Sequence, residues 1–202
     1  MKIRAVIFDL GGVLVRTEDR HPRAELARRL GMTYDELSCL VFESDSARLA
    51  TIGKITTREH WECVRLTLGI SEEDFPSVRR DFWGGDELDL GLVGYIRSLR
   101  PRYKTGLLSN AWDNLRKVIT ATWKIDDAFD DLVISAEAGV AKPDPRIYEY
   151  AVQRLGLEPG EAIFVDDFPQ NIEAAHQTGL RGILFQDTRL VRQELDRLLD
   201  QE

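Results

Sequence analysis

Cysteine and histidine are scarce in this sequence, whose 202 residues include two cysteines and three histidines. Cys39 and Cys63 form no pattern typical of a zinc site or a disulfide framework, so we expect both to be buried in helical segments as small apolar side chains. His60 and His176 also fall in predicted helices, away from any set of ligands at zinc-site spacing. These patterns favour structural roles for all four residues.

Positive charge and long apolar runs are scarce as well. Lysine and arginine number 27 against 35 aspartates and glutamates, which gives a net charge of -8. Such a balance argues against nucleic acid or an anionic membrane as a partner. No apolar run reaches the length of a membrane helix, and the N-terminus has no small-residue cleavage site of a signal peptide. We therefore expect an unprocessed cytoplasmic protein.

The chain also has no internal repeat and no low-complexity segment, and its organisation changes near residue 90. From Thr17 to Leu90 the sequence contains helix signals and no convincing strand, with a capping-box spacing at Thr56 and Glu59. From Gly91 onward strand and helix patterns alternate, which is typical of parallel βαβ units. This predicts an α/β core made of residues 1–15 and 91–202, interrupted by an all-helical insertion over residues 16–90.

Within the core, each predicted strand is followed by a helix signal. A helix begins near Trp112, another is opened by Asp144 and Pro145, and Pro169 to Thr178 forms a third. Predicted strands after the first cover Tyr103 to Ser109, Leu132 to Ser135, Ala162 to Val165 and Gly182 to Phe185.

The first strand lies in the apolar stretch IRAVIFDLGGVL, from Ile3 to Leu14. Its apolar, β-branched residues end at Asp9 and a Gly-Gly pair, which predicts a buried parallel strand followed by a sharp turn. Open α/β sheets bind their ligands at the carboxyl ends of their strands. Asp9 is therefore a candidate functional residue, although an aspartate at such a turn also serves as an ordinary helix cap.

Polar residues follow other strands in the same way, and Lys142 lies in a loop. Because the carboxyl ends of parallel strands share one edge of the sheet, side chains spread over the whole core converge there. Three carboxylates at one edge repel one another unless they are protonated or bind a metal, and hard oxygen ligands suit Mg²⁺. A carboxylate nucleophile, a hydroxyl, an ammonium group and a metal together indicate phosphoryl transfer. The residues of this set are Asp9, Ser109, Asn110, Lys142, Asp166 and Asp167.

The four motifs FDLGG, LLSN, KPDP and FVDD occur in the order typical of one family, and the chain resembles the haloacid dehalogenase-like (HAD) hydrolases over nearly its whole length. The stretches SNAW and DDFPQN are most similar to a phosphatase subgroup that includes the N-terminal domain of soluble epoxide hydrolase and small sugar-phosphate phosphatases.

The resemblance implies a fold and a set of roles. The fold is a Rossmann-like parallel sheet with strand order 3-2-1-4-5, and the helical insertion is a cap over the site. The reaction is Mg²⁺-dependent hydrolysis of a small phosphorylated metabolite through an aspartyl-phosphate. The implied roles are nucleophile and metal ligand for Asp9, phosphate binding for Ser109, Asn110 and Lys142, direct Mg²⁺ ligation for Asp167, and ligation through water for Asp166.

One position departs from the pattern of the family. Its phosphatases usually carry a second aspartate two residues after the nucleophile, which protonates the leaving group; here that residue is Gly11. The carbonyl of Gly11 can still bind Mg²⁺, but glycine cannot transfer a proton. General acid-base catalysis is worth roughly 10² to 10⁴ in rate, so we expect a slow phosphatase or one that favours good leaving groups. Glu18, Asp19 and His21 are candidate substitutes, although a solvated surface position fits each of them better.

Three other functions use similar residues. A 2-haloacid dehalogenase employs the same nucleophile without metal, but the acidic pair Asp166 and Asp167 would oppose its anionic substrate. A receiver domain places the acidic pair first and has no helical insertion. A non-catalytic or regulatory relative is the remaining alternative, and Gly11 is the feature that favours it.

Overall fold

The computed structural model describes residues 2–200 of the chain. The strands are β1 (Ala5–Phe8), β2 (Val15–Thr17), β3 (Asp86–Leu88), β4 (Lys104–Ser109), β5 (Asp131–Ile134), β6 (Ala162–Asp166) and β7 (Arg181–Leu184). The helices are α1 (His21–Arg29), α2 (Tyr34–Phe42), α3 (Asp45–Thr51), α4 (Thr57–Leu68), α5 (Phe75–Trp83), α6 (Leu90–Leu99), α7 (Leu115–Lys117), α8 (Ser135–Ala138), α9 (Pro145–Arg154), α10 (Pro169–Gln177) and α11 (Thr188–Asp200).

Five parallel strands form the main sheet in the order β5-β4-β1-β6-β7. Counting only these five along the chain, the order is 3-2-1-4-5, so the prediction of the sheet is confirmed. All four residues of β1 are buried because helices cover both faces of the sheet. Val6 and Phe8 pack into the apolar cluster on one face, and Ala5 and Ile7 pack into the cluster on the other.

Helices α1 to α5 bury an apolar cluster of their own, which contains Leu26, Val41, Trp61 and Phe82. The capping box predicted at Thr56 and Glu59 is present at the start of α4: the Thr56 hydroxyl accepts a hydrogen bond from the Glu59 amide, and the Glu59 carboxylate accepts one from the Thr56 amide. We call α1 to α5 the helical insertion.

The expectation of no strand between Thr17 and Leu90 was wrong. Where the chain leaves and re-enters the core, β2 and β3 pair in an antiparallel ribbon, with Val15 opposite Leu88. Inside the ribbon, the Asp86 carboxylate accepts hydrogen bonds from the Thr17 hydroxyl at 2.6 Å and from the buried Arg23 at 3.0 and 3.1 Å. Each strand has only three residues, too few for a visible alternation of apolar and polar residues.

Two smaller expectations also need correction. Cys39 and Cys63 are free and exposed rather than buried, because they lie on the outer faces of α2 and α4. The helix after β4 begins at Leu115 instead of Trp112 and continues as a π-helical turn over Val118–Trp123. Among residues 2–200, no helix combines the length and apolar character needed to cross a bilayer.

Candidate active site

Asp9 follows β1 directly, at the carboxyl edge of the sheet, and the residue is 6% exposed. Its amide donates a hydrogen bond to the carbonyl oxygen of Val165 at 2.8 Å, which continues the pairing of β1 with β6. Since Phe8 pairs with Val165, the next residue of each strand is an aspartate, Asp9 on one and Asp166 on the other. Strand register thus sets two carboxylates side by side.

Lys142 lies between these two carboxylates. Its Nζ is 2.7 Å from Asp9 Oδ1 and 2.6 Å from Asp166 Oδ2. The lysine is 5% exposed, and such a buried ammonium group is tolerated in a protein interior only when it is paired. Lys142 therefore compensates part of the negative charge that the strand ends bring together.

The Asp166 carboxylate is saturated with hydrogen bonds and fully buried. Oδ1 accepts from the Phe168 amide at 2.7 Å and from Asn171 Nδ2 at 3.0 Å, and Oδ2 accepts from Asn171 Nδ2 at 3.0 Å and from Lys142. With both oxygens occupied, Asp166 has little capacity to bind a metal directly. The arrangement is compatible with the contact through water that the family resemblance implies.

Asp167 is less satisfied than its neighbour. Its Oδ1 is buried and has no hydrogen-bond partner within residues 2–200, which is costly for a carboxylate oxygen. One oxygen of each of Asp9, Asp166 and Asp167 lies within 4.8 Å of the others, a spacing at which three carboxylates can hold a cation. The unpartnered oxygen and the hard donor set both fit Mg²⁺.

The pKa values of Asp9 and Asp167 are both raised. The pKa of Asp9 is raised to about 7: burial is the largest cause, the charge of Lys142 opposes it, and the charge of Asp166 adds to it. Burial, and then the charge of Asp166, raise the pKa of Asp167 as well. Lys142 alone does not balance the three carboxylates, and a divalent cation would keep Asp9 and Asp167 ionised at neutral pH.

Ser109 is the last residue of β4, which pairs with β1, and Asn110 follows it. Ser109 is 3% exposed. The Asn110 side chain contacts the backbone of Lys142 through two reciprocal hydrogen bonds: Nδ2 donates to the Lys142 carbonyl at 2.9 Å, and Oδ1 accepts from the Lys142 amide at 2.8 Å. Asn110 thereby ties the loop that carries Lys142 to the end of β4.

Gly11 and Gly12 have opposite surroundings. A Cβ built on Gly11 would meet no atom within 4 Å, and Gly11 is exposed. A Cβ on Gly12 would lie 2.0 Å from Asp167 Oδ2, and Gly12 also has a positive φ of 78°. The second glycine is therefore required by the close approach of Asp167, whereas a side chain fits at Gly11.

Two of the three candidate substitutes for the missing acid have other side-chain contacts. Glu18 accepts a hydrogen bond from Arg16 Nε at 2.8 Å, and Asp19 accepts one from the amide of His21 at 2.8 Å. All three lie exposed between β2 and the start of α1. These contacts agree with the surface positions that the sequence favoured.

The helical insertion contacts the core beside the site. A Cβ on Gly53 would lie 2.1 Å from the carbonyl oxygen of Ala136 in α8, so this turn packs backbone against backbone. At the start of α4, the amide and the hydroxyl of Thr57 both donate to Asp113 of the core. The insertion is thus held against the loop that follows Ser109 and Asn110.

Sequence reasoning missed three contributions to this site. Gly12 and Asn171 were not singled out, and the contact of Asn110 with the Lys142 backbone was not foreseen. The Gly-Gly pair signalled a tight turn but not what approaches it. Asn171 belongs to the DDFPQN stretch, and its position in the first turn of α10, five residues after Asp166, was the available signal.

Two curated proteins resemble the chain over almost all of its length. Bifunctional epoxide hydrolase 2 of Sus scrofa is 27% identical over 98% of this chain, but the match covers only 39% of that protein. The chain thus spans less than half of this relative. D-ribitol-5-phosphate phosphatase of Bacteroides thetaiotaomicron is 27% identical over 98% of this chain and 99% of its own length.

A solved structure and a family model complete the comparison. The crystal structure of a HAD family enzyme from Bacteroides thetaiotaomicron, in complex with magnesium and inorganic phosphate, superposes with a TM-score of 0.77. It is 24% identical and covers 94% of this chain and 98% of that one, which establishes the shared fold. The haloacid dehalogenase-like hydrolase model matches residues 3–179. The chain belongs to the haloacid dehalogenase-like hydrolases.

Proposed function

We propose that this hydrolase is a Mg²⁺-dependent phosphomonoesterase acting on a small phosphorylated metabolite. The observation that carries the proposal is the cluster of Asp9, Asp166 and Asp167, joined by Lys142, with one buried carboxylate oxygen unpartnered within residues 2–200. Such a cluster is suited to a cation and a phosphate together. In this proposal residues 16–90 are the cap that selects the substrate.

Asp9 is the nucleophile in this proposal. Its carboxylate oxygen forms a bond to phosphorus while the bond from phosphorus to the ester oxygen breaks, and the electron pair leaves with that oxygen. A water molecule then attacks phosphorus, the Asp9 oxygen departs, and inorganic phosphate and the free carboxylate result. Ser109 and Lys142 bind the phosphoryl oxygens, and Asn110 holds the Lys142 loop in position.

Asp9, Asp167 and the carbonyl of Gly11 would hold Mg²⁺, with Asp166 in contact through water. When bound, the ion neutralises the charge of the carboxylates and of the phosphoryl oxygens. The residues present fit this role because they offer hard oxygen donors, one of them buried and unpartnered within the described chain. The phosphatase relative and the magnesium and phosphate complex described above support the same assignment.

Dehalogenation of a 2-haloacid is the weaker candidate. It would use Asp9 without a metal and would bring a further carboxylate to a site that already contains three. Lys142 is shared between Asp9 and Asp166, so the charge of Asp167 would face the substrate uncompensated. Mg²⁺ bound together with a phosphate would compensate the excess negative charge of the carboxylates, whereas a haloacid without a metal would increase it.

The assignment of Asp167 predicts a difference in metal-induced stabilisation. A ligand present at 100 times its dissociation constant stabilises the native state by about 2.7 kcal/mol, which corresponds to a Tm increase of roughly 5 to 10 °C for a chain of this length. Mg²⁺ is expected to raise the wild-type Tm in this way and to have little effect on Asp167→Ala. Differential scanning fluorimetry with a Mg²⁺ titration measures both proteins. Asp126→Ala, which removes an exposed aspartate outside the site, should respond like wild type. Equal Mg²⁺-induced Tm shifts in Asp167→Ala and wild type would mean that Asp167 is not a metal ligand.

The contact between Asn110 and Lys142 gives a second prediction. Asn110→Ala removes two hydrogen bonds worth roughly 0.5 to 1.5 kcal/mol each, so the Tm should fall by a few degrees. The loss in kcat should be larger, about tenfold or more, because a displaced Lys142 no longer meets Asp9 and the phosphate. Steady-state kinetics and a melting curve on the same preparation test this. A folded Asn110→Ala protein with kcat near the wild-type value would mean that the hydrogen bonds from Asn110 to the Lys142 backbone do not position Lys142.

A further inference from the structure

Exposed aromatic side chains lie next to two of the motifs that form the candidate site. Phe168 follows Asp167 directly and is 52% exposed. Its amide is fixed by the hydrogen bond to Asp166, so the backbone is held while the ring remains open to solvent. Large apolar side chains exposed beside a polar site are typical of ligand contacts.

A second exposed group lies where the helical insertion meets the core. Phe42, Trp83 and Trp112 form what we call the aromatic wall, with ring centroids 5.6 Å apart for Phe42 and Trp83 and 6.4 Å apart for the other two pairs. Phe42 is 44% exposed and Trp83 is 38% exposed. Trp61 and Phe82 are both buried, and the Trp61 ring packs against Trp112 of the wall and against Phe82.

The chain itself ties the wall to the phosphate-binding loop. Trp112 is three residues after Ser109, and consecutive Cα atoms are about 3.8 Å apart, so these two Cα atoms are separated by no more than about 11 Å. Phe42 and Trp83 come from the insertion, whereas Trp112 comes from the core. The wall therefore crosses the boundary between the two parts, and its core member, Trp112, follows the phosphate-binding loop directly in sequence.

We propose that Phe168 and the aromatic wall bind the leaving group of the substrate, and that this leaving group is an apolar phenol. The inference rests on the proposed phosphatase function and names its substrate class. Rings stack on exposed aromatic side chains without needing specific hydrogen bonds, which suits a site whose polar residues are already engaged with the phosphate and the metal.

Gly11 supports the same substrate class independently. A site without an acid at this position transfers phosphate best from oxygens that need little protonation on departure. Phenols meet that requirement, whereas aliphatic alcohols, including simple sugar alcohols, do not. Gly11 and the exposed aromatic side chains thus favour the same kind of substrate, an aryl phosphate ester.

The test compares two esters that carry the same phosphate, 1-naphthyl phosphate and glycerol 3-phosphate. Isothermal titration calorimetry on the folded Asp9→Asn protein with Mg²⁺ measures binding, and initial rates on wild type measure kcat/KM. We expect Asp9→Asn to bind the naphthyl ester at least about tenfold more tightly than the glycerol ester. Adding Phe168→Ala should weaken binding of the naphthyl ester about fivefold to tenfold and that of the glycerol ester less than about twofold.

Phe168 is the most informative position to vary, because among residues 2–200 it belongs to neither buried cluster of the core. Its substitution therefore removes no core side chain. Phe42→Ala should show the same selectivity, and Tyr150→Ala, which removes an exposed aromatic ring from α9, should change neither ester. Equal losses for both esters, or no loss in Phe168→Ala, would overturn the inference. Selective binding of the naphthyl ester without turnover in wild type would instead support the wall and refute the phosphatase function.

Discussion

Asp9→Asn is expected to lower the rate of phosphate release by at least about 10⁴-fold, because an amide cannot attack phosphorus and removal of a catalytic nucleophile has effects of this order. The fold should persist. Asparagine is nearly isosteric, and Lys142 keeps its contact with Asp166 at 2.6 Å. Since the pKa of Asp9 is raised to about 7, with burial as the largest cause, its charge opposes folding at neutral pH. In EDTA the variant should therefore melt no lower than wild type.

The measurement pairs phosphate release from p-nitrophenyl phosphate with a thermal melt of each protein. Asp126→Asn provides the matched control, since it makes the same chemical change at an exposed aspartate. This control should keep the wild-type rate. A folded Asp9→Asn protein that releases phosphate at a rate comparable with wild type would end the assignment of Asp9 as nucleophile.

Gly11→Asp is expected to increase hydrolysis of alkyl phosphates by about 10²-fold and to change that of p-nitrophenyl phosphate little. An aspartate at this position can protonate the departing oxygen, which an alkoxide needs and a nitrophenolate does not. The structure allows the substitution, because a Cβ on Gly11 meets nothing within 4 Å and the residue does not require a positive φ.

Two variants separate proton transfer from other effects of the substitution. Gly11→Asn has nearly the same size but cannot act as an acid, so it should not produce the selective gain. Gly12→Asp would collide with Asp167 and demand a strained φ, so it should lose Mg²⁺ binding. If folded, metal-binding Gly11→Asp leaves the ratio of alkyl to aryl rates unchanged, another residue already supplies the proton, and Glu18, Asp19 and His21 become the next positions to vary.

Local patterns were sufficient to predict the core of this protein. The run from Ala5 to Phe8 is entirely apolar because both faces of β1 are covered by helices, and the Gly-Gly pair lies where the chain must turn past Asp167. The convergence of Asp9 and Asp166 followed from parallel strands ending at one edge, and Lys142 reaches both carboxylates from a loop after α8. These features depend on periodicity and on strand direction, which a single sequence records.

Features that depend on tertiary contacts were not predictable in this way. The ribbon of β2 and β3 joins two segments of three residues that are distant in sequence. The Asn110 side chain binds a backbone 32 residues further along the chain. The Thr57 contact with Asp113 likewise exists only when the insertion lies against the core. No sequence periodicity encodes any of these pairings, because each depends on how separately formed units pack together.

One assay tests whether this hydrolase transfers phosphate with the help of Mg²⁺. Purified wild-type protein is incubated with p-nitrophenyl phosphate in Mg²⁺ and in EDTA, and with 2-chloropropionate as the competing class of substrate. We expect phosphate release in Mg²⁺, its loss in EDTA, its return when Mg²⁺ is added back, and no chloride release. Chloride release without metal, or phosphate release that EDTA does not affect, would contradict this expectation.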